Sequence, residues 1–114
     1  MTDLVNLTPH DITLLIPGGR RDVPRSGTVA RVVTEAFDCA PIARVRSVRL
    51  TPTGVVEGLP DPVVGTVFIA SAMAASVAKR ADVVSPGHLV RDDEGRVIGC
   101  ESLVRHDEPV ATRG

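Results

Sequence analysis

Residues 64–87, VGTVFIASAMAASVAKRADVVSPG, contain the unit around which the rest of the chain is arranged. The apolar run Val64–Ile69 is rich in β-branched residues, which favours a buried strand. The alanine-rich run Ala72–Arg80 contains no Gly or Pro and favours a helix, for which Ser71 is a natural N-cap. A short strand, Asp82–Val84, is expected to follow and to end at the next Ser-Pro-Gly. The stretch therefore predicts a strand, a helix and a strand in succession.

Both ends of this helix carry residues that suit its dipole. Lys79 and Arg80 would lie in the last turn, where positive charge is favourable. The N-terminus, at Ser71 and Ala72, would present free backbone N–H groups at the edge of the sheet, a common place for an anion. The same arrangement is also an ordinary way to connect a strand to a helix, so both interpretations stay open.

Composition limits the class of protein. A chain of 114 residues has the length of one domain, and 43% hydrophobic residues exclude a disordered chain. Valine is abundant, whereas there are two Phe and no Tyr or Trp, which predicts a fold dominated by sheet. The net charge of −1 argues against a protein that coats nucleic acid.

The cysteines and histidines show no readable metal or disulfide pattern. Cys39 and Cys100 are too few for a disulfide framework, and no pair among them and the three histidines has metal-site spacing. We therefore expect no metal and no cofactor. The chain has neither a signal peptide nor a long apolar run, so we expect a soluble, cytoplasmic protein without a membrane partner.

Turn signals divide much of the remaining chain into short strands. Ile12–Ile16 and Arg20–Val23 flank a Pro-Gly-Gly turn and are expected to form a hairpin. The clearest hairpin signal is the turn Asp92–Gly95, in which glycine stands where a positive φ is wanted. A further strand is expected over Thr28–Thr34.

The middle of the chain is less regular. Glu35–Pro41 is ambiguous between a loop and one helical turn. Ile42–Leu50 alternates with a period of two, which predicts a strand with Arg44 and Arg46 on one face. The Pro- and Gly-rich segment Thr51–Pro62 is expected to be a long connection and the most mobile part of the chain.

These signals together predict an α+β fold and a single β-rich domain over residues 1–114. A strongly twisted, mostly antiparallel sheet would carry one main helix at about Ser71–Arg80, and the C-terminal tail would fray from about residue 107. A valine-rich sheet with edges to protect is a reasonable candidate for a closed homo-oligomer.

The choice of positive charges suggests a ligand. All positive side chains except Lys79 are arginines, which codon use in a GC-rich genome explains most simply and phosphate binding would also explain. A small hydrolase or transferase using His10 and Asp82 is a weaker alternative, because neither residue lies in a catalytic motif. We therefore expect no catalytic residues. The candidate ligand-binding residues are Arg25, Ser26, Gly27, Arg31, Ser71, Ala72, Arg80, Arg91 and Arg96.

Several motifs resemble a family of small phage and prophage proteins. They are Asn6-Leu7-Thr8-Pro9-His10, Pro24-x-Ser26-Gly27-x-x-Ala30-Arg31, Ser71-Ala72 after a strand, and DVVSPGHLVRDDEGRVIGC over residues 82–100. The resemblance covers both ends of the chain and leaves Glu35–Val63 unmatched. The overall build also looks like the phage sponge proteins of the Thoeris anti-defence type. Those proteins bind cyclic ADP-ribose-like or cyclic oligonucleotide signals and withhold them from a bacterial defence effector.

The resemblance implies a non-enzymatic phage or prophage protein in the cytoplasm of a bacterial host cell. It would sequester a small anionic nucleotide-like signal to counter bacterial immunity. The sponge proteins stack their ligand on an aromatic residue, for which this chain offers only Phe37 and Phe68. The alternative is a structural or protein-binding phage accessory protein that has no small-molecule ligand and offers a sheet edge to a partner.

Overall fold

The computed structural model describes residues 2–107 and shows, within this range, eight strands and one helix. They are β1 (Asp3–Asn6), β2 (Ile12–Ile16), β3 (Gly19–Val23), β4 (Arg31–Ile42), β5 (Val45–Glu57), β6 (Thr66–Ile69), α1 (Ala72–Ala78), β7 (Val83–Arg91) and β8 (Val97–Arg105). The α+β class is confirmed in outline, as a mostly β fold with one short helix. Apart from Asp107, the tail expected to fray lies outside the described residues.

Six strands form one mixed sheet in the order β1-β6-β7-β8-β2-β3. β6 is parallel to both β1 and β7, and β8 is parallel to β2. The neighbours β7–β8 and β2–β3 are antiparallel hairpins, and both were expected from their turns. In this six-stranded sheet three of the five neighbouring pairs are parallel, so the prediction of a mostly antiparallel sheet is wrong there. The reason is that α1 carries the chain back across the sheet between β6 and β7, and such a crossover makes the two strands parallel.

Helix α1 is shorter than expected. Ser71 is its N-cap, as predicted, and its Oγ accepts a hydrogen bond from the backbone N–H of Ala74 at 3.1 Å. The helix ends at Ala78 because Lys79 takes a left-handed conformation with φ 51° and ψ 39°. Lys79 and Arg80 therefore lie beyond the last turn. The prediction that they complement the helix dipole there is wrong.

The core has one cluster on each face of the sheet, because successive residues of a strand point to opposite sides. Phe68 and Val83 pack on one face against the buried helix residues Ala74 and Ala75. The small alanine side chains let α1 lie close to the sheet. On the other face the sheet curls over a second cluster. Its members are Leu14, Val23, Ile69, Val84 and Cys100.

β4 and β5 form a separate two-stranded ribbon, residues 31–57, called the arm below. At its base Val32 and Val56 pack against the cluster under α1. Beyond the base the side chains are mostly exposed. The radius of gyration is 17.1 Å, whereas a compact domain of this length has about 13 Å. The arm therefore projects from a compact body.

The arm overturns two of the three predictions made for the middle of the chain, while the strand predicted over Ile42–Leu50 is confirmed from Val45 onward as part of β5. Glu35–Pro41 is neither a loop nor a helical turn but part of β4. Thr51–Pro62 is not a long connection, because β5 continues to Glu57. Pro52 is tolerated there because it lies in a two-stranded ribbon, where each strand has an unpaired side.

Two further boundaries differ from the prediction. Arg44 does not share a strand face with Arg46, because Ala43 and Arg44 form the turn of the arm with φ values of 49° and 67°. β7 does not end at Ser-Pro-Gly but continues through it, and Gly87 pairs with Ser102 of β8. A Cβ at Gly87 would lie 2.6 Å from Cγ2 of Val104 and 2.7 Å from Oγ of Ser102, so both side chains would have to move to admit one.

Candidate functional site

The loop between β1 and β2 is held by one buried side chain. Asn6 is 1% exposed, and its amide nitrogen donates to the carbonyl oxygens of His10 at 2.7 Å and Val23 at 3.0 Å. Its Oδ1 accepts from the backbone N–H of Thr8 at 2.9 Å and from the Thr8 hydroxyl at 2.7 Å. The first motif of the phage-family resemblance thus has a structural role, which is to fix the Thr8-Pro9-His10 turn.

A cavity of about 690 Å³ lies where this turn meets the β7–β8 hairpin. Its lining is mainly apolar, with His10 and Asp11 among the few polar residues, and Ser71 is the one candidate residue in it. Residues Pro9, Ile12, Pro86, Leu89, Val97 and Ile98 form the apolar part. An apolar lining suits an apolar group better than a phosphate.

A second cavity, of about 390 Å³, lies on the other side of the Thr8-Pro9 segment, beside the start of β4. It brings together two of the candidate residues, Arg31 and Ser71, with Met73 from α1. Ala72 is exposed at the start of α1 but lines neither cavity. The Ser71 Oγ accepts from the helix, which leaves its hydroxyl proton able to donate, so Arg31 and Ser71 are the groups here that could meet an anion.

Arg80 is fully engaged within the chain. Its Nε donates to Oδ1 of Asp82 at 2.8 Å, its Nη2 to Oδ2 at 2.5 Å, and its Nη1 to the carbonyl of Pro60 at 2.9 Å. Its guanidinium carbon also lies 6.0 Å from the centre of the Phe68 ring. The hydrogen bonds raise the pKa of Arg80 and lower that of Asp82. Asp82 is therefore not available to act with His10, which lines the larger cavity.

Arg91 and Arg96 stabilise the turn between β7 and β8. Arg91 Nη1 donates to the carbonyl of Gly95 at 2.9 Å. Arg96 contacts the carboxylates of Asp92 at 3.1 Å and Glu94 at 2.9 Å. The backbone N–H groups of Arg96 and Glu94 lower the pKa of Asp92 by donating to its carboxylate. These contacts favour the interpretation in which both arginines serve the hairpin.

The remaining candidates lie in the connection between β3 and β4. Arg25 Nη1 donates to the carbonyl of Pro9 at 3.2 Å, and its Nε lies 3.3 Å from Asp11. Ser26 exchanges hydrogen bonds with the backbone of Thr28, and Gly27 has a φ of 97°. None of the three candidates lines either cavity. Of the nine candidates, only Arg31 and Ser71 line the same one of these two cavities.

Sequence reasoning did not identify the exposed apolar surface of the arm. Phe37, Ile42, Val45 and Leu50 are 52%, 69%, 65% and 62% exposed. The usable signal was the β-branched residues at the start of β4 and scattered along β5, because such residues favour strands whatever their burial.

The strand pairing sorts these side chains onto two faces, because residues opposite each other in an antiparallel pair share a face. One, the Phe37 face, carries Glu35, Phe37, Cys39, Ile42, Val45, Ser47, Arg49 and Thr51. The other, the Leu50 face, carries Thr34, Ala36, Asp38, Ala40, Arg46, Val48, Leu50 and Pro52.

Residues 2–107 contain no cluster of three or more metal-ligating side chains. Within the same range α1 is much too short to cross a bilayer, and no other helix is described. The chain matches no protein-family model, no curated protein and no solved structure.

Proposed function

We propose that this chain is a non-enzymatic, protein-binding accessory protein of the phage or prophage type, and that the arm is its binding element. The observation that carries the proposal is the exposed apolar surface of the arm. A two-stranded ribbon alone is at best marginally stable in water, and contiguous exposed apolar side chains mark interaction surfaces. Both outer edges of the ribbon also offer unpaired backbone groups to a partner.

The side chains give no support to an enzyme. Ser85 and His106 approach to 2.7 Å and are the pair that most resembles a nucleophile with its base. Ser85 is 2% exposed, however, so a substrate has no access to its hydroxyl. His88 and Ser102 are also 2.7 Å apart, on the exposed part of the same hairpin. Neither pair lines either cavity, where a substrate would be held.

Wild-type protein is expected to sediment as a complex, either when purified or when added to host-cell lysate. A variant with a polar arm, Phe37→Ser, Ile42→Ser and Leu50→Thr, should sediment as a monomer in both conditions, because the apolar contact is gone. Sedimentation velocity with a labelled chain measures this. Circular dichroism should show an unchanged body, since none of the three side chains packs in the core. Wild type that stays monomeric in both conditions would contradict the proposal.

A second function, sequestration of a small anionic nucleotide-like ligand, is favoured by one observation. Arg31 and Ser71 line the same cavity of about 390 Å³. A thermal-shift panel of cyclic ADP-ribose isomers, cyclic di- and trinucleotides and linear nucleotides tests it. A ligand at about 100 times its Kd should add about 2.7 kcal/mol to the stability and raise Tm.

Arg31→Ala should then abolish the shift produced by that ligand, because it removes the charge that faces the cavity. The matched control is Arg21→Ala, which removes an exposed arginine of β3 that lies outside both cavities. If no ligand of the panel raises Tm, or if Arg31→Ala and Arg21→Ala show the same ligand-induced shift in Tm, the second function is contradicted. The protein-binding proposal is unaffected by either result.

A further inference from the structure

We infer that the Phe37 face of the arm docks against the same face of a second copy of this chain. The two copies form a two-fold dimer in which the arms are stacked face to face. The inference rests on the proposed function and names the partner. It depends on three features of the arm: the direction of this face, its charges, and its apolar area.

The Phe37 face is turned away from the body. At the base of the arm Val32 packs against the cluster under α1. Side chains two residues apart on a strand share a face, so Val32 lies on the same side of β4 as Thr34 and Ala36. These belong to the Leu50 face. The opposite face, with Phe37, is therefore the face that does not pack on the body at the base of the arm.

The charges on the two faces differ in whether they are already paired. On the Leu50 face, Arg46 Nε lies 2.8 Å from Asp38 Oδ1, so that pair is complete within one chain. On the Phe37 face, Glu35 and Arg49 form no salt bridge with any residue in 2–107. The acidic residue stands on β4 and the basic residue on β5, so the face is charged oppositely along its two strands.

A two-fold axis along the arm matches these charges. It lays β4 of one copy over β5 of the other, which brings Glu35 next to Arg49 of the second copy, twice in the dimer. The same rotation places Phe37 against the guanidinium of that arginine, an arrangement that attracts by a cation–π interaction. Near the tip it places Ile42 over Val45 of the second copy. Opposite charges and apolar side chains thus meet their complements.

The available area is sufficient for a specific contact. The face runs roughly 26 Å along the arm at about 3.3 Å per residue. Its eight side chains, at roughly 60 Å² each, would give about 1,000 Å² for the two copies together, the lower limit for a specific interface. This predicts a weak to moderate dimer, which is suitable for measurement by sedimentation.

Charge reversal tests the arrangement on the full chain. Glu35→Arg and Arg49→Glu should each weaken the homodimer at least about tenfold, because each puts like charges together twice. When the two variants are mixed in equal amounts, a heterodimer should form, since both contacts between positions 35 and 49 then join opposite charges. If each substitution weakened the dimer only by changing the structure of its own arm, mixing the two variants would not restore association. Sedimentation equilibrium of each variant and of the mixture gives the Kd values.

Asp38→Arg is the matched control, because it reverses a charge at the same level of the arm on the Leu50 face. It should leave the dimer intact. Purified wild type that is monomeric but joins a complex in lysate would overturn this inference while the proposed function stands. The face-to-face arrangement on the Phe37 face would be overturned if the mixture failed to associate. It would also be overturned if Asp38→Arg weakened the dimer as much as Glu35→Arg and Arg49→Glu do.

Discussion

Replacing Asn6 by alanine is expected to lower the free energy of unfolding by about 3 kcal/mol, the largest effect that we expect from one side chain. The change leaves the carbonyl of Val23 and the N–H of Thr8 without their partner in a buried place, and the carbonyl of His10 keeps only the Thr8 hydroxyl as a donor. Each unsatisfied buried group costs about 1–3 kcal/mol, and local relaxation recovers part of the sum. Urea denaturation followed by circular dichroism measures the loss.

Thr13→Ala is the control for this substitution. It also removes a side-chain hydrogen bond, from the Thr13 hydroxyl to Asp22 at 3.0 Å, but on the exposed β2–β3 hairpin. It should change the stability by no more than about 0.5 kcal/mol. If Asn6→Ala and Thr13→Ala cost the same, burial of the amide is not what makes Asn6 important.

Asn6 also connects parts of the chain that are far apart in sequence. Its backbone carbonyl accepts from the N–H of Ser26 at 2.9 Å, and Asn6 forms an isolated parallel β-bridge with Arg25. The bond from Asn6 to His10 is local, because the two residues are four apart in sequence. The bond to Val23 could not be predicted, because it depends on how β3 returns beside β1.

Turn chemistry predicted the local structure where the turn decides it. The β2–β3 and β7–β8 hairpins are present, and Asp92 of the second turn accepts from the N–H groups of Glu94 and Arg96. The N-cap at Ser71 is likewise local. The parallel β6–β7 pair is consistent with the predicted order of strand, helix and strand, whereas the pairing of β6 with β1 could not be predicted, because it depends on the path of the whole chain.

The arm was missed because local rules give the wrong answer there. Prolines and glycines in Thr51–Pro62 indicate a loop, and Glu35–Pro41 has no clear period. Strand formation in this region comes from cross-strand pairing, in which β4 and β5 support each other over most of their length. Residues with no buried face also lack the alternation of apolar and polar side chains by which strands are recognised.

Several of the arginines considered as phosphate ligands have an acidic residue close to them in sequence. Arg80 and Asp82 are two residues apart, and Arg96 and Asp92 are four apart. Both acids were visible in the sequence beside the arginines considered as phosphate ligands. A guanidinium with a carboxylate so near in sequence can be engaged by that carboxylate first. Arg31 also has an acid four residues away, Glu35, but no salt bridge joins the two within residues 2–107, and Arg31 is the arginine that the structure places in a cavity.

Arg80→Ala is expected to lower the free energy of unfolding by about 2 kcal/mol at neutral pH. The Arg80 and Asp82 side chains are 25% and 20% exposed, so the pair is partly shielded from solvent. Removal of the arginine leaves Asp82 and the carbonyl of Pro60 without their donors in that setting, and hydrogen bonds to charged groups are among the stronger ones. Arg96→Ala, at a side chain 73% exposed, should cost no more than about 0.5 kcal/mol.

The same pair predicts how stability depends on pH. The hydrogen bond from Arg80 lowers the pKa of Asp82 in the folded chain, so the folded state holds the ionised carboxylate more strongly than the unfolded state does. Its contribution is therefore complete above the ordinary carboxyl pKa of about 4 and is lost as the pH falls through the lower, folded value. Arg80→Ala lacks this hydrogen bond, so its stability does not contain this pH-dependent contribution. The stability difference between wild type and Arg80→Ala should consequently shrink between about pH 7 and about pH 3, measured by urea denaturation at both. A difference that stays constant with pH would mean that Arg80 stabilises the fold through its contacts with Phe68 and Pro60 and not through the charge of Asp82.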